Sequence, residues 1–364
     1  MEENFSRLIV VLGMHRSGTS VITSGLQVMG VDLGDNLMPA SEGNNSRGFW
    51  EDIDINRLNI EMLHFLKIDW HFLTPIQPSD VDTLCKNGYL QRAQQLLQDK
   101  IAAIERFGLK DPRIVKLLPF WKEVFAHSQI RVDYVLVIRH PLSVCSSLAK
   151  RDGFDFEKSH LLWLEHVIGS LVGTQGENRV LVDYDLFMQM PEAELTRIAK
   201  QLRLAIDAAE LQRFQQEFLD PELQHSLYQL DDLARESTSP PLVQEVYSAL
   251  LEYAASHLSL EVPALNNKIL QWDTEFARLR PTLMFIDKLG LRISAADAER
   301  NVWKTERKAL LQEKAQLTQA FLSKEQALEK LRAELLVIYQ SRLWHWTKPI
   351  RKLLDLVHRR TGCG

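Results

Sequence analysis

Five contiguous apolar residues, Leu8 to Leu12, run into Gly13-Met14-His15-Arg16-Ser17-Gly18-Thr19-Ser20, and Val21, Ile22, Leu26 and Met29 follow at helical spacing. No other feature of the chain restricts its fold as much. The short, partly β-branched run predicts a buried strand over Arg7 to Gly13. The spacing after it predicts a helix over Ser20 to Met29, ended by Gly30. A glycine loop between a strand and a helix suits an anion, because loop and helix N–H groups converge on it and the helix dipole favours negative charge. The glycines permit the turn and a close approach by the ligand. The loop is GxxxxG followed by Thr-Ser, so Thr19 stands where an ATP-binding loop carries lysine, and Arg16 places a cation inside the loop. This predicts an anion-binding loop ill-suited to ATP hydrolysis. A merely structural glycine turn is the plain alternative.

The same alternation continues along the chain. Val132 to Ile138 and Arg179 to Val182 read as further buried strands. Helices are expected over Asp54 to Leu66, Gly88 to Phe107, Leu161 to Leu171 and Pro191 to Leu202, with Pro141 opening another. Asp35 to Phe49 reads as a loop, and Leu109 starts a short segment broken by Pro112. Strands alternating with helices predict an α/β fold with a parallel sheet covered on both faces. That unit is expected to end near Leu260.

Composition removes several alternatives. With 43 basic and 48 acidic side chains the net charge is −5, which leaves no global nucleic-acid footprint. Cys85, Cys145 and Cys363 are odd in number and widely spaced, which argues against a disulfide framework and against structural zinc. No apolar stretch approaches the ~20 residues that span a bilayer. The apolar run at Leu8 to Met14 is too short for a signal peptide, so a cytoplasmic location is expected.

A second chemical signal is Ile138-Arg139-His140-Pro141, at the end of a predicted strand, with Ser146 and Ser147 in the helix that follows. A magnesium-binding strand of a nucleotide hydrolase would end in aspartate. A cation and a hydroxyl in that place suit a second phosphate. The plain reading is an arginine that satisfies local carbonyls.

Together these two segments resemble the P-loop-type sulfotransferase family that uses 3′-phosphoadenosine 5′-phosphosulfate as donor. The resemblance implies that His15, Arg16, Ser17, Gly18, Thr19 and Ser20 surround the 5′-phosphosulfate, and that Arg139 and Ser147, eight residues apart, bind the 3′-phosphate. Gly48-Phe49-Trp50-Glu51-Asp52, Leu109 to Arg113, Ser147 to Gly153 and Val182 to Leu186 look like segments of the bacterial, glycan-directed branch. The resemblance covers roughly residues 7 to 205. It implies in-line sulfuryl transfer to a hydroxyl, on a saccharide or surface polysaccharide, without a metal. Arg16 and Lys110 are the candidates for stabilising the leaving oxygen, and Glu51 for the base, with Asp52 next. Asp52 or Asp54 could equally cap the next helix. His140 is expected to be structural or donor-side. Asp111 and Arg113 could form a structural pair around Pro112, Asp183 and Asp185 could open a helix, and Trp163 reads as core. The competing readings are a nucleotide or sugar kinase and a non-catalytic coiled-coil scaffold.

On this reading residues 1–260 form the sulfotransferase-like domain and 261–295 a connector containing one helix. From Ala296 to Gln340 there is neither Pro nor Gly. Leu310, Leu317, Leu331 and Ile338 share one heptad position, and Phe321, Leu328 and Leu335 the other, but Arg307, Lys314 and Lys324 also occupy core positions. The segment 296–340 is expected to pair as a coiled coil, most simply with a second copy, or to fold back as a solvated helix. The tail, 341–364, interleaves Trp344, Trp346, Ile350, Leu353, Leu354, Leu356 and Val357 with six Arg and Lys residues. It suits a membrane surface through 341–360 or a protein partner, and Pro349 is expected to interrupt its helix. Ser341 to Arg351 looks like the tails of bacterial surface-polysaccharide glycosyltransferases.

Overall fold

The computed structural model describes residues 7–41, 48–128, 130–217, 219 and 228–361. Four parallel strands, β1 (Arg7–Gly13), β2 (Arg106–Lys110), β3 (Arg131–Ile138) and β4 (Arg179–Asp183), form one sheet in the order β2-β1-β3-β4. Between and after them lie α1 (Thr19–Gly25), α2 (Ile53–Phe65), α3 (Pro78–Lys86), α4 (Tyr89–Ile101), α5 (Arg113–Ser128), α6 (Pro141–Asp152), α7 (Phe156–Gly173), α8 (Tyr184–Gln189), α9 (Pro191–Leu202) and α10 (Ala208–Glu217). Further on come α11 (Leu230–Arg235), α12 (Pro241–Ala255), α13 (Pro263–Arg278), α14 (Arg280–Gln340), α15 (Arg342–Trp346) and α16 (Lys348–Thr361).

The strand sequences alternate between two buried cores. Leu8, Val10 and Leu12 of β1, with Tyr134, Leu136 and Ile138 of β3, face the larger core, built with α2, α4, α5 and α7. Ile9, Val11, Val135, Val137, Val180 and Val182 face the smaller core on the other side, with α1, α9 and α10. A strand buried on both faces reads as a continuous apolar run, which is why β1 and β3 were legible.

β2 is a correction. The expected helix over 88–107 stops at Ile101, and Arg106–Lys110 is an edge strand pairing Val11 with Lys110. Only Phe107 and Leu109 are large and apolar there; on the other face Gly108 lets Leu33 and Val31 close in, where an added Cβ would lie 2.5 Å from Leu33 Cδ2. The pattern has period two but is too short to stand out from a helix end. The other differences are smaller. The helix expected over Ser20 to Met29 is α1 followed by a 3-10 turn, Leu26–Met29, and that expected from Leu161 starts at Phe156.

The first compact unit ends at Lys288, beyond the limit expected at 260, because Leu265, Ile269, Trp272 and Phe276 of α13 are buried in the larger core. Asp287 accepts hydrogen bonds from the Leu73 and Thr74 amides at 2.8 and 2.9 Å. The second unit starts at Leu289, and its share of α14 is exposed except at the half-buried Asp297. Thr347 separates α15 from α16, and Pro349 sits in the first turn of α16, where its missing N–H costs nothing. No helix of the described residues is long and apolar enough to cross a membrane. Cys85 and Cys145 are free thiols; Cys363 and residues 42–47 of the expected loop lie outside the described residues.

Candidate functional site

β1 is flanked by β2 on one side and β3 on the other, so the connections leave it in opposite directions and open a crevice at the strands' carboxyl ends. Gly13, Lys110, Ile138 and Asp183 end the four strands at that edge. The chain segments leaving those ends carry most of the residues singled out from the sequence.

The loop after β1 turns tightly. The Ser17 amide donates to Met14 O at 3.2 Å, and Arg16 and Gly18 have φ of 69° and 83°. A Cβ on Gly18 would lie 2.0 Å from the Tyr184 ring, so glycine is required by both backbone and space. Arg16 adopts the left-handed region without being glycine, a strain of order 1 kcal/mol that persists only where its surroundings hold it. Its Nε donates to Ser147 Oγ at 2.7 Å. Arg139 follows β3, donates from Nη1 to Arg16 O at 3.2 Å and lies 4.4 Å over the Tyr184 ring. Arg16 therefore meets Arg139 and Ser147, both far from it in sequence.

Among the described residues, three buried polar atoms around this loop have no hydrogen-bond partner: His15 Nε2, Ser17 Oγ and Arg139 Nε. Buried polar groups are ordinarily satisfied, so donors left over beside a helix N-terminus suit an anionic ligand. Burial, then the neighbouring Arg151 and Arg139, pull the Arg16 pKa below its usual value. Burial and the surrounding cations Arg113, Arg151 and Lys110, with His166, hold His15 well below the ordinary histidine range, which keeps its imidazole neutral at pH 7. The His15 ring packs 4.2 Å from Trp70, a contact no spacing in the sequence signals.

Lys110 and Glu51 form the second cluster. Both are buried, and Lys110 Nζ donates to Glu51 Oε1 at 2.8 Å, to Ser20 Oγ at 3.3 Å and to Phe49 O. The three donors of the ammonium are thus all used. Glu51 Oε2 accepts from Asn56 Nδ2 at 3.0 Å and lies 3.7 Å from Arg113 Nη1. Burial raises the Glu51 pKa and prevails over the opposing pull of Lys110. Asp52 is the N-cap of α2, accepting from the Asp54 and Ile55 amides at 3.0 and 3.1 Å, and that role fixes the backbone behind Glu51.

A supporting network lies beneath. Asn56 and Asn59 of α2 donate to Asp111 Oδ2 at 3.2 and 3.0 Å, and Arg113 pairs with Asp111 Oδ1 at 3.0 Å. The sequence signal was available: two asparagines three apart on the otherwise apolar face of an amphipathic helix. The Asp111–Arg113 pair around Pro112 is as expected, and Arg113 also reaches Glu51. Asp183 caps α8, accepting from the Asp185 and Leu186 amides at 3.0 Å. Burial pushes its pKa up to about 7.

Some residues stand apart. Ser146 pairs with the Tyr228 hydroxyl at 2.9 Å rather than with Arg139. His140 is structural: Nδ1 accepts from the Leu142 amide at 3.2 Å and Nε2 faces Gln229 O at 3.1 Å, capping α6. Trp163 is fully buried and donates to Arg139 O at 3.1 Å. Among the described residues, no three His, Cys, Asp or Glu side chains stand close enough to hold a metal ion.

No family model and no curated protein matches the sequence. Solved structures do align with it. A sulfotransferase domain from the curacin biosynthetic pathway is 13% identical, with 76% of this chain and 99% of that one covered and a TM-score of 0.37. A sulfotransferase domain from the Synechococcus PCC 7002 olefin synthase is 16% identical, with 76% and 97% covered and a TM-score of 0.37. A retinol dehydratase in complex with androsterone and inactive cofactor PAP is 14% identical, with 74% and 80% covered and a TM-score of 0.27. Likeness this loose carries no argument about the site, so the roles below rest on this chain's own residues.

Proposed function

We propose that this chain is a sulfotransferase that moves a sulfuryl group from 3′-phosphoadenosine 5′-phosphosulfate to a hydroxyl of a saccharide. The observation that carries the reading is the convergence of Arg16, Arg139 and Ser147 at the carboxyl ends of β1 and β3. A 5′-phosphosulfate needs loop amides and a cation, and a 3′-phosphate needs a second cation and a hydroxyl. The leftover donors at Ser17 and Arg139 fit that demand.

In the proposed reaction Arg16 and the loop amides hold the donor's 5′ end, while Arg139 and Ser147 hold its 3′-phosphate. Glu51 accepts the proton of the acceptor hydroxyl as its oxygen bonds to sulfur. The bond from sulfur to the bridging oxygen breaks, and Lys110 and Arg16 stabilise the negative charge left on that oxygen. Adenosine 3′,5′-bisphosphate leaves. The longest of the Lys110 hydrogen bonds, to Ser20 Oγ at 3.3 Å, is the one it exchanges at least cost. A raised Glu51 pKa makes its carboxylate a better proton acceptor than an exposed glutamate. Trp70 and Phe154, 5.7 Å apart beside the loop, offer half-buried aromatic surface onto which a sugar ring packs.

Transfer of radiolabelled sulfate to a panel of neutral, amino and uronic oligosaccharides tests the reading. Label in at least one glycan, lost in Lys110→Ala, is expected. Donor binding with no transfer to any glycan, phenol or steroid alcohol would count against catalysis.

A further inference from the structure

The last two helices have no place in that chemistry. Ser341 caps α15, its Oγ accepting from the Trp344 amide at 3.2 Å. On α16, Ile350, Leu353, Leu354 and Val357 recur at spacings of three and four and form one stripe, all of it exposed. Leu343 and Trp346 are 77% and 85% exposed. Lys348 and Lys352 fall on the opposite side of α16 by the same spacing. Arg351 lies 3.3 Å over the Trp344 ring, which fixes an indole beside a guanidinium.

The charge is as segregated as the hydrophobicity. From Ser341 to Thr361, Arg342, Lys348, Arg351, Lys352, Arg359 and Arg360 face a single acid, Asp355, in a chain whose net charge is −5. Among the described residues Lys348 and Lys352 pair with no carboxylate. The heptad positions of α14 end at Ile338, and the turn at Thr347 interrupts the helix, so the stripe does not continue the coiled-coil seam. A protein groove would bury the stripe and leave the cations without use. An anionic lipid surface takes both: the apolar side chains enter the acyl boundary, the indoles sit at headgroup level, and the cations meet the headgroups.

We propose that Ser341–Thr361 is an interfacial anchor that lies in the plane of an anionic membrane. It is independent of the activity proposed above. The test is flotation of the full-length protein with phosphatidylcholine vesicles, with and without phosphatidylglycerol. Binding only to the phosphatidylglycerol vesicles, weakened by salt, is expected. K348Q/K352Q changes exposed side chains alone and is expected to lower the partition coefficient about thirtyfold, at ~1 kcal/mol per charge near the surface. L353S/L354S is expected to abolish binding with the helical circular dichroism retained. No binding by the wild type, equal binding to both vesicle types, or no change in either variant would overturn the proposal. So would L353S/L354S shifting the sedimentation coefficient instead, which would assign the stripe to a second copy.

Discussion

Replacing Arg139 by alanine separates the two halves of the proposed donor site. Its guanidinium is 11% exposed, lies 3.9 Å from Asp185 and covers the Tyr184 ring at 4.4 Å. Charge-assisted hydrogen bonds contribute about 1.5–3 kcal/mol each, so losing one to a 3′-phosphate weakens adenosine 3′,5′-bisphosphate roughly 10- to 150-fold. Adenosine 5′-monophosphate has no group there. It feels only the lost bond to Arg16 O, which is also charge-assisted but touches no atom of the nucleotide, so its affinity falls by less than that of the bisphosphate. Ser147→Ala removes a neutral partner and follows the same pattern more weakly. The Tyr184 contact adds about 0.5–2 kcal/mol of stability, so thermal unfolding of Arg139→Ala is measured first. Calorimetric titration of both nucleotides then gives the ratio. If both affinities fall by the same factor, Arg139 only supports the loop and the 3′-phosphate assignment is wrong.

Lys110→Ala is expected to cost about 10²–10³ in kcat with little change in bisphosphate affinity, since Lys110 acts on charge that develops in transfer; an equal loss in both would make it a binding residue. The Glu51 pKa is raised, so the rate should climb with pH through a value above the usual carboxylate range, and Glu51→Gln should abolish that limb; an unchanged profile would clear Glu51 as the base. Burial alone would push Glu165 up, but Lys116 at 2.9 Å and His166 outweigh it and hold it at about 2. Its share of stability is full above the unfolded value of about 4.3 and lost as pH falls through 2, so the wild-type urea midpoint should drop across that window more than that of Lys116→Met. The heptads of α14 predict a dimer whose sedimentation coefficient falls on L328D/L335D; a wild-type monomer would leave that helix unpaired.

The strand–loop–helix at the start was legible because three independent patterns agree there: a contiguous apolar run, glycine spacing and helical periodicity. β3 and Arg139 were legible from two patterns, an apolar run that ends at Ile138 and Pro141 opening the next helix. β2 was not, because one of its faces is made by Gly108 and by side chains from Val31 and Leu33, a tertiary circumstance that leaves no periodic trace. The site shows the same division. Residues at strand ends follow from topology once the strands are known. Trp70 on His15 and Tyr184 on Arg139 and Gly18 come from distant segments, and only packing brings them together. The Lys110–Glu51 pair was foreseen as two separate candidates, but not as a contact that uses every donor of the lysine.

The central claim is that the loop after β1 and Arg139 hold one nucleotide with phosphates at both ends. Calorimetry of the wild-type protein with adenosine 3′,5′-bisphosphate, adenosine 5′-monophosphate and Mg-ATP tests it directly. Selective, magnesium-independent binding of the bisphosphate is the predicted result. Equal or tighter binding of Mg-ATP would contradict it, and Lys110 and Glu51 would then need roles in phosphoryl rather than sulfuryl transfer.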